Sequence, residues 1–295
     1  MTLTRDWGQL RRVKVLHRAQ GGAISVIIRG SMFAKLRTLF SPVRDEPEGP
    51  RACVPAGQRV YAIGDIHGRL DLFEQLLDQI AADDAARGKA DTHIVLLGDL
   101  IDRGPDSRSV VDRAIALVQG GKVRVLAGNH EEMLLGSIEH DETLRHFLRH
   151  GGKETMFSYG LLPEEYAQAK LDLLRERLVQ LVPESHVVFM RAMENQVVFG
   201  DYLFVHAGIR PGVPLDEQML PDLRWIRREF LDHAEPHSHV VVHGHTITAE
   251  PEVRPNRIGI DTGAFASGRL TAIGLEGAER WFLSALIDPA EQVAA

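Results

Sequence analysis

Val60-Tyr61-Ala62-Ile63-Gly64-Asp65-Ile66-His67-Gly68 is a short β-branched and aromatic run that breaks into a Gly-Asp-x-His-Gly turn. A strand ended in this way carries Asp65 and His67, two residues apart, out on the same side, so one segment offers two metal ligands at once. Three later stretches repeat the pattern of an apolar run followed by glycine and a polar cluster. They are Gly98-Asp99-Leu100-Ile101-Asp102-Arg103-Gly104, Gly128-Asn129-His130-Glu131 and His243-Gly244-His245.

Working outward from residue 60, strands and helices alternate, which predicts an α/β domain with much of its sheet parallel. Val60 to Ile63 reads as the first strand, and Leu70 to Ala82, with Leu72, Phe73, Leu76, Leu77 and Ile80 on one face, as the first helix. A strand over His93 to Leu97, a helix over Ser107 to Val118 and a strand over Val123 to Ala127 follow. Each strand ends at one of the polar clusters, and in open α/β sheets ligands gather beyond the carboxyl ends of strands, so the clusters point to a single cleft. Residues 132 to about 195, rich in Leu, Glu and Arg, predict a helical excursion over one edge of that cleft, with Ala167 to Leu181 its clearest helix. Strands return at Val197 to Phe199, Tyr202 to His206, Val240 to His243 and Arg257 to Asp261, and Leu270 to Leu275 pairs with Arg280 to Ile287 across Glu276-Gly277 as a hairpin.

The 295-residue chain, 44% hydrophobic, has enough apolar content for a sizeable core. A single cysteine, Cys53, excludes an internal disulfide and cysteine-based zinc sites, and fits a cytoplasmic setting. No apolar run reaches the roughly 18 to 20 residues of a membrane-spanning helix, and no h-region with a small-residue cleavage site marks a signal peptide. The net charge of -7 argues against a general nucleic-acid binder. That charge is uneven, because before Asp45 nine basic residues face the single acid Asp6. Residues 1–56 therefore read as a basic tail and linker, residues 57–288 as the folded domain, and 289–295 as a C-terminal tail. Within the tail, Phe33, Leu36 and Phe40 fall at helical spacing between cations, a pattern for peripheral contact of residues 32–40 with an anionic membrane. Met32 is a second candidate start, which would make the preceding residues an over-long reading frame.

An aspartate after a strand is often a helix cap, and a lone histidine is more often a satisfied core residue than a ligand. Joint occurrence changes that reading. Asp65, His67, Asp99, Asn129, His206 and His245 supply imidazole and oxygen donors without thiolate, the ligand set for Mn, Fe or Zn in a reactive site. Two divalent ions sharing one carboxylate activate water for attack on a phosphoryl group. The order GDxHG, GDxxDRG, GNHE, HAG, GH resembles the phosphoprotein phosphatase family of metallophosphoesterases, bacterial and phage branch, from about Val60 to Ile287.

The resemblance implies a four-layer sandwich of two mixed β-sheets flanked by helices, which periodicity alone does not separate from one doubly wound sheet. It also implies that Asp65, His67 and Asp99 hold a first divalent ion, and that Asp99, Asn129, His206 and His245 hold a second, with manganese the leading identity. His130 is then the general acid, braced by Asp102, and Arg103 clamps the phosphate. Arg227, in Arg224-Trp225-Ile226-Arg227-Arg228, is similar in position to the family's second phosphate arginine. His243, two residues before His245 and on the same strand face, is expected to brace the site rather than bind metal, and Glu131 to be structural. The expected activity is hydrolysis of phosphoserine, phosphothreonine or small phosphoesters by metal-activated water. Glu131 favours this over the alternative of a symmetrical dinucleoside-tetraphosphate hydrolase, which commonly has Asp there; an inactive phosphate-binding module is the reading from another class.

Overall fold

Strand β1 (Gln58–Ile63) shows why the chain layers as it does, since it is buried on both faces. Val60 and Ala62 point one way, into a cluster with Val242 and Ile258, and Tyr61 and Ile63 point the other way, towards helices. The structure, a computed structural model, describes residues 51–287. The basic tail, its stretch 32–40 and the C-terminal residues 289–295 lie outside the described residues.

After β1 come α1 (Leu70–Arg87), β2 (Asp91–Leu96), α2 (Ser107–Gln119) and β3 (Val123–Val125). The helical excursion comprises α3 (Asn129–Ser137), α4 (Asp141–Phe147), a π-type turn over Leu148–Gly152, α5 (Lys153–Ser158), α6 (Pro163–Gln168), α7 (Leu171–Leu181) and α8 (Glu184–Arg191). Then follow β4 (Gln196–Phe199), β5 (Tyr202–Val205), α9 (Leu220–Trp225), α10 (Arg228–Leu231), β6 (Val240–His243), β7 (Glu252–Val253), β8 (Arg257–Gly259), α11 (Ala264–Ser267) and the hairpin β9 (Arg269–Glu276) and β10 (Glu279–Leu286).

The strands form two five-stranded sheets, ordered β10-β9-β1-β2-β3 and β4-β5-β6-β8-β7. In the first, β1, β2 and β3 are parallel and the hairpin adds antiparallel strands; in the second, β5, β6 and β8 are parallel between antiparallel edges. One core lies between the first sheet and the helices α1, α2 and the excursion, a second lies between the two sheets, and a third packs Leu203 and Val205 of the second sheet against Leu223 and Phe230 of α9 and α10. This is the four-layer α/β sandwich of two mixed sheets.

The single helix expected over Ala167 to Leu181 is two helices, because Ala169 and Lys170 are extended, with ψ of 139° and 162°. Both Ala169 and Leu171 pack on the core. In a continuous helix, residues two apart point about 200° from one another, so the break is what lets both reach it.

Candidate metal centre

Five non-glycine residues among those described have positive φ: His67 (47°), Asp99 (48°), Asp102 (74°), Arg103 (70°) and His245 (62°). All five belong to the polar clusters at the strand ends. Such conformations cost roughly 1–3 kcal/mol each and persist only where the surroundings hold them. The three motif loops hold one another. His67 N–H donates to Asp99 O at 2.9 Å and Gly68 N–H to Leu100 O at 2.8 Å, while Asp99 Oδ1 accepts from His130 N–H at 3.0 Å. At Gly128, a Cβ would collide with Asp99 Oδ1 and Asp99 N, so only glycine lets the two loops approach this closely.

Glu131 is the latch between those loops. Fully buried at the start of α3, its Oε2 accepts from Gly128 N–H (2.9 Å) and Asp99 N–H (3.0 Å), and its Oε1 from Leu100 N–H (2.8 Å). Burial, then the nearby Asp99 carboxylate, pushes its pKa up to about 7.

The histidines show a common pattern. His67 Nδ1–H donates to Ile101 O (2.7 Å), His130 Nδ1–H to Asp102 Oδ2 (2.6 Å) and His206 Nδ1–H to Leu97 O (2.8 Å). In the neutral ring, fixing each Nδ1 as the donor leaves Nε2 as a lone pair; when His130 is charged, its Nε2 carries a proton. Those lone pairs converge on Asp99, whose Oδ2 lies 3.6 Å from His67 Nε2 and 3.8 Å from His130 Nε2, and whose Oδ1 lies 3.4 Å from His206 Nε2. Two groups of potential ligand atoms result, His67, Asp99 and His130 in one and Asp99, His206 and His245 in the other, all buried. Asp99 is common to both.

The donor set fits divalent cations on four observations. His206 Nε2 and Asn129 Oδ1 face each other at 2.9 Å, and with Nδ1 protonated both are acceptors, a juxtaposition that a cation resolves. His245 Nε2 is buried with no hydrogen-bond partner among the described residues. Burial lowers the pKa of His67, His206 and His245, the last to about 2, which favours the neutral imidazole that ligation requires. Finally, burial and then the neighbouring carboxylates Asp261 and Asp99 raise the pKa of Asp65, and burial lifts Asp261 to about 6, as expected of crowded acids with too little positive charge nearby.

Asp65 stands apart from the two groups. Its carboxylate accepts from His245 N–H at 3.0 and 3.2 Å and lies near the carboxylate of Asp261. His243 also departs from expectation. The positive φ of His245 swings the chain out of β6, so the two histidines do not share a face: His245 stands 5.1 Å from the His206 ring, whereas His243 stands 5.1 Å from Phe230 on the outer side of the sheet.

Around His130 the geometry is tight. Asp102 Oδ1 accepts from Thr155 Oγ1–H at 2.6 Å, and Asp102 N–H donates to Ser107 Oγ and Thr155 Oγ1. Burial opposes charging His130, but Asp99 and the Asp102 hydrogen bond outweigh it and raise the imidazole pKa. Arg103 places its two terminal nitrogens 2.6 Å from His67 Nε2 and 2.9 Å from His130 Nε2, under the ring of Phe265. Arg227 is exposed beside the site, near enough to depress His245 further, while Arg224 is bound to Glu132 (2.9 Å) and Asn195 (2.7 Å).

Thr155, Ser107 and Asp261 were not singled out from the sequence. Asp261 carries a legible signal, an Asp-Thr-Gly directly after the buried run Ile258-Gly259-Ile260, the same strand-then-polar pattern as the other clusters. Thr155 carries none, since it lies on α5 and meets Asp102 only through the fold.

Residues 58–266 match the model of the calcineurin-like phosphoesterase family. The chain is 29% identical over 234 residues to the asymmetrical bis(5'-nucleosyl)-tetraphosphatase PrpE of Anoxybacillus flavithermus, covering 72% of this chain and 88% of that one. It is 28% identical over 269 residues to a symmetrical bis(5'-nucleosyl)-tetraphosphatase of Neisseria gonorrhoeae, covering 74% and 93%. Among solved structures, a candidate diadenosine tetraphosphatase superposes with a TM-score of 0.56 at 21% identity, covering 81% of this chain and 100% of that one. A cold-active protein-tyrosine phosphatase of a Shewanella species superposes at 0.50 and 19%, covering 80% and 82%. These two likenesses concern the fold.

Proposed function

The chain belongs to the calcineurin-like phosphoesterase family, a metal-dependent phosphohydrolase, and we propose that its substrate is a dinucleoside tetraphosphate, cleaved at a phosphoanhydride bond. The observation that carries the chemistry is the convergence of imidazole lone pairs on the single carboxylate of Asp99. The substrate reading rests on relatives named as tetraphosphatases over most of the chain.

Glu131 does not decide against this substrate. Its carboxylate is fully buried and engaged by backbone N–H groups, so the residue after Gly-Asn-His reports on loop architecture and not on what enters the cleft. Hydrolysis of phosphoserine or phosphothreonine is the second reading, supported by the motif order in the sequence. The intact Asp102–His130 pair (2.6 Å) argues against a module that only binds phosphate.

In this assignment Asp65, His67 and Asp99 would hold one divalent ion and Asp99, Asn129, His206 and His245 the other, with Asp261 beside Asp65. When bound, such ions polarise the phosphoryl oxygens and lower the pKa of water, and the donor set admits manganese among others. Arg103 turns its guanidinium to the phosphoryl oxygens, with Arg227 contributing from the opposite rim. Water adds to phosphorus and releases a proton to solvent, the bond from phosphorus to the leaving oxygen breaks, and charged His130 delivers its Nε2 proton to that oxygen. Asp102 keeps the imidazole oriented and its pKa high enough to carry the proton.

The test is a panel of diadenosine tetraphosphate, a phosphoserine peptide and an aryl phosphate, assayed with chelated and manganese-reloaded protein. Metal is expected to restore activity, with the highest kcat/KM on the tetraphosphate. A higher kcat/KM on the peptide would replace the substrate, and full activity after chelation would remove the mechanism.

A further inference from the structure

Asp102 holds the general acid, and the residue that holds Asp102 comes from the helical excursion. Thr155 lies in the first turn of α5, 53 residues further along the chain. The π-type turn before α5 brings it in. Gly151 O accepts from Arg103 N–H at 3.0 Å, and a Cβ at Gly151 would stand 2.6 Å from Arg103 N, so the turn lies directly against the loop that carries Asp102 and Arg103.

What each group can donate fixes the directions of the bonds. An ionised carboxylate only accepts, so Thr155 Oγ1–H donates to Asp102 Oδ1, at 2.6 Å. A hydroxyl has one proton and two lone pairs, and both lone pairs of Thr155 Oγ1 are then engaged, by Asp102 N–H and by Ser107 Oγ–H, each at 2.9 Å. Ser107 Oγ also accepts from Asp102 N–H, at 3.0 Å. At the other carboxylate oxygen, Oδ2, His130 Nδ1–H donates at 2.6 Å. Ser107, Thr155 and Asp102 are fully buried and His130 nearly so, which keeps solvent from replacing any of these partners. One carboxylate oxygen thus belongs to the excursion and the other to the acid. Rotation of the carboxylate about its Cβ–Cγ bond breaks both bonds, so Thr155 sets the plane in which the His130 imidazole is held. The same N–H bonds to Thr155 and Ser107 help to keep Asp102 at its φ of 74°.

We propose that Thr155 is a positioning residue for proton delivery: it anchors the Asp102 carboxylate, and through it the imidazole of His130, so that docking of the helical excursion is a condition for the acid to work. This rests on His130 being the general acid of the proposed phosphohydrolase. Thr155 itself touches no reacting atom.

Phenyl phosphate and para-nitrophenyl phosphate share the attacked group and differ in how much the leaving oxygen needs a proton. Thr155→Val keeps the shape of the side chain and removes the hydroxyl. In manganese-loaded protein it should lower kcat about tenfold on phenyl phosphate, part of what a general acid supplies, and less than about twofold on para-nitrophenyl phosphate. KM and manganese content should stay where they were. Thr155→Ser, which keeps the hydroxyl, should bring kcat on phenyl phosphate back to within about threefold of the unaltered protein. In a His130→Asn background, Thr155→Val should cost nothing further, because the group it positions is gone. Ser107→Ala, which removes one donor to Thr155, is a milder second variant and should show the same substrate dependence even if Thr155→Val does not fold. Equal loss on both esters, loss that persists in His130→Asn, or no rescue by Thr155→Ser each overturns the proposal and leaves Thr155 a packing residue. A second measurement needs no turnover. The proton resonance of His130 Nδ1–H, identified by its absence in His130→Asn, should keep its NMR position in Thr155→Ser and move in Thr155→Val; an unmoved resonance overturns the anchoring. If the unaltered protein turns over neither ester while that resonance moves in Thr155→Val, the phosphohydrolase reading fails and the anchoring of the Asp102–His130 pair stands.

Discussion

Replacing Glu131 with Gln keeps the side chain's shape and removes its charge. The carboxylate accepts from Gly128 and Asp99 on one oxygen and from Leu100 on the other, at 2.8 to 3.0 Å. A carboxamide offers one oxygen, and its NH2 must face the remaining N–H donors. At least one and as many as two backbone donors then lose their acceptor inside a fully buried site. At about 1–3 kcal/mol for each buried unsatisfied donor, the cost is roughly 2–5 kcal/mol once the repulsion between facing donors is included. For a domain of this size 1 kcal/mol moves Tm by about 2–4 °C, so Glu131→Gln should melt roughly 5–15 °C lower. Because the same bonds hold Asp99 at its positive φ, manganese affinity measured by calorimetry should fall with stability. A loss under about 0.5 kcal/mol in urea unfolding, with metal affinity unchanged, would refute the latch.

Further outcomes follow from other contacts. His130→Asn should keep its manganese and lose roughly 10² or more in kcat on diadenosine tetraphosphate; an equal loss on an aryl phosphate with a much better leaving group would speak against proton delivery. Gly151→Ala should lower kcat/KM on an aryl phosphate roughly tenfold by displacing Arg103, since φ there is 108° and the added methyl meets Arg103; steady-state kinetics of the folded variant would show it. Asp83 Oδ2 accepts from Tyr61 (2.6 Å), Trp281 (2.8 Å) and Arg87 (2.9 Å). Burial opposes its charge, but these bonds outweigh it and depress the pKa below the usual carboxylate value. Their stabilisation is therefore present above about pH 4 and lost as pH falls through the folded value. Asp83→Asn should cost about 1–2 kcal/mol at pH 7 and less at pH 3 in urea titrations.

Much of the site was legible because its residues follow strands. Asp65, Asp99, Asn129 and His206 each come directly after a buried apolar run, and period and glycine placement are local properties. What the local pattern does not carry is which strands share a sheet. β1 has apolar residues on both faces, which suits the centre of a doubly wound sheet equally well, and only the return of β9 to pair with β1 217 residues later, at Arg59 and Glu276, separates the arrangements. Side-chain direction beyond a strand end is also invisible, as His243 shows: the rule of two holds along β6 and fails at the positive φ of His245. The partners of Asp102 escaped for a related reason, because Thr155 arrives from a helix 53 residues away. Glu131 was legible as structural, but not as the acceptor that fixes two loops.

Shared ligation by Asp99 is the centre of the account, and counting manganese ions tests it most directly. Calorimetric titration of the chelated protein should give two ions per chain, and Asp99→Asn should weaken both by tenfold or more, because one carboxylate serves both groups of ligands. Two ions bound to Asp99→Asn with the affinity of the unaltered protein would contradict it.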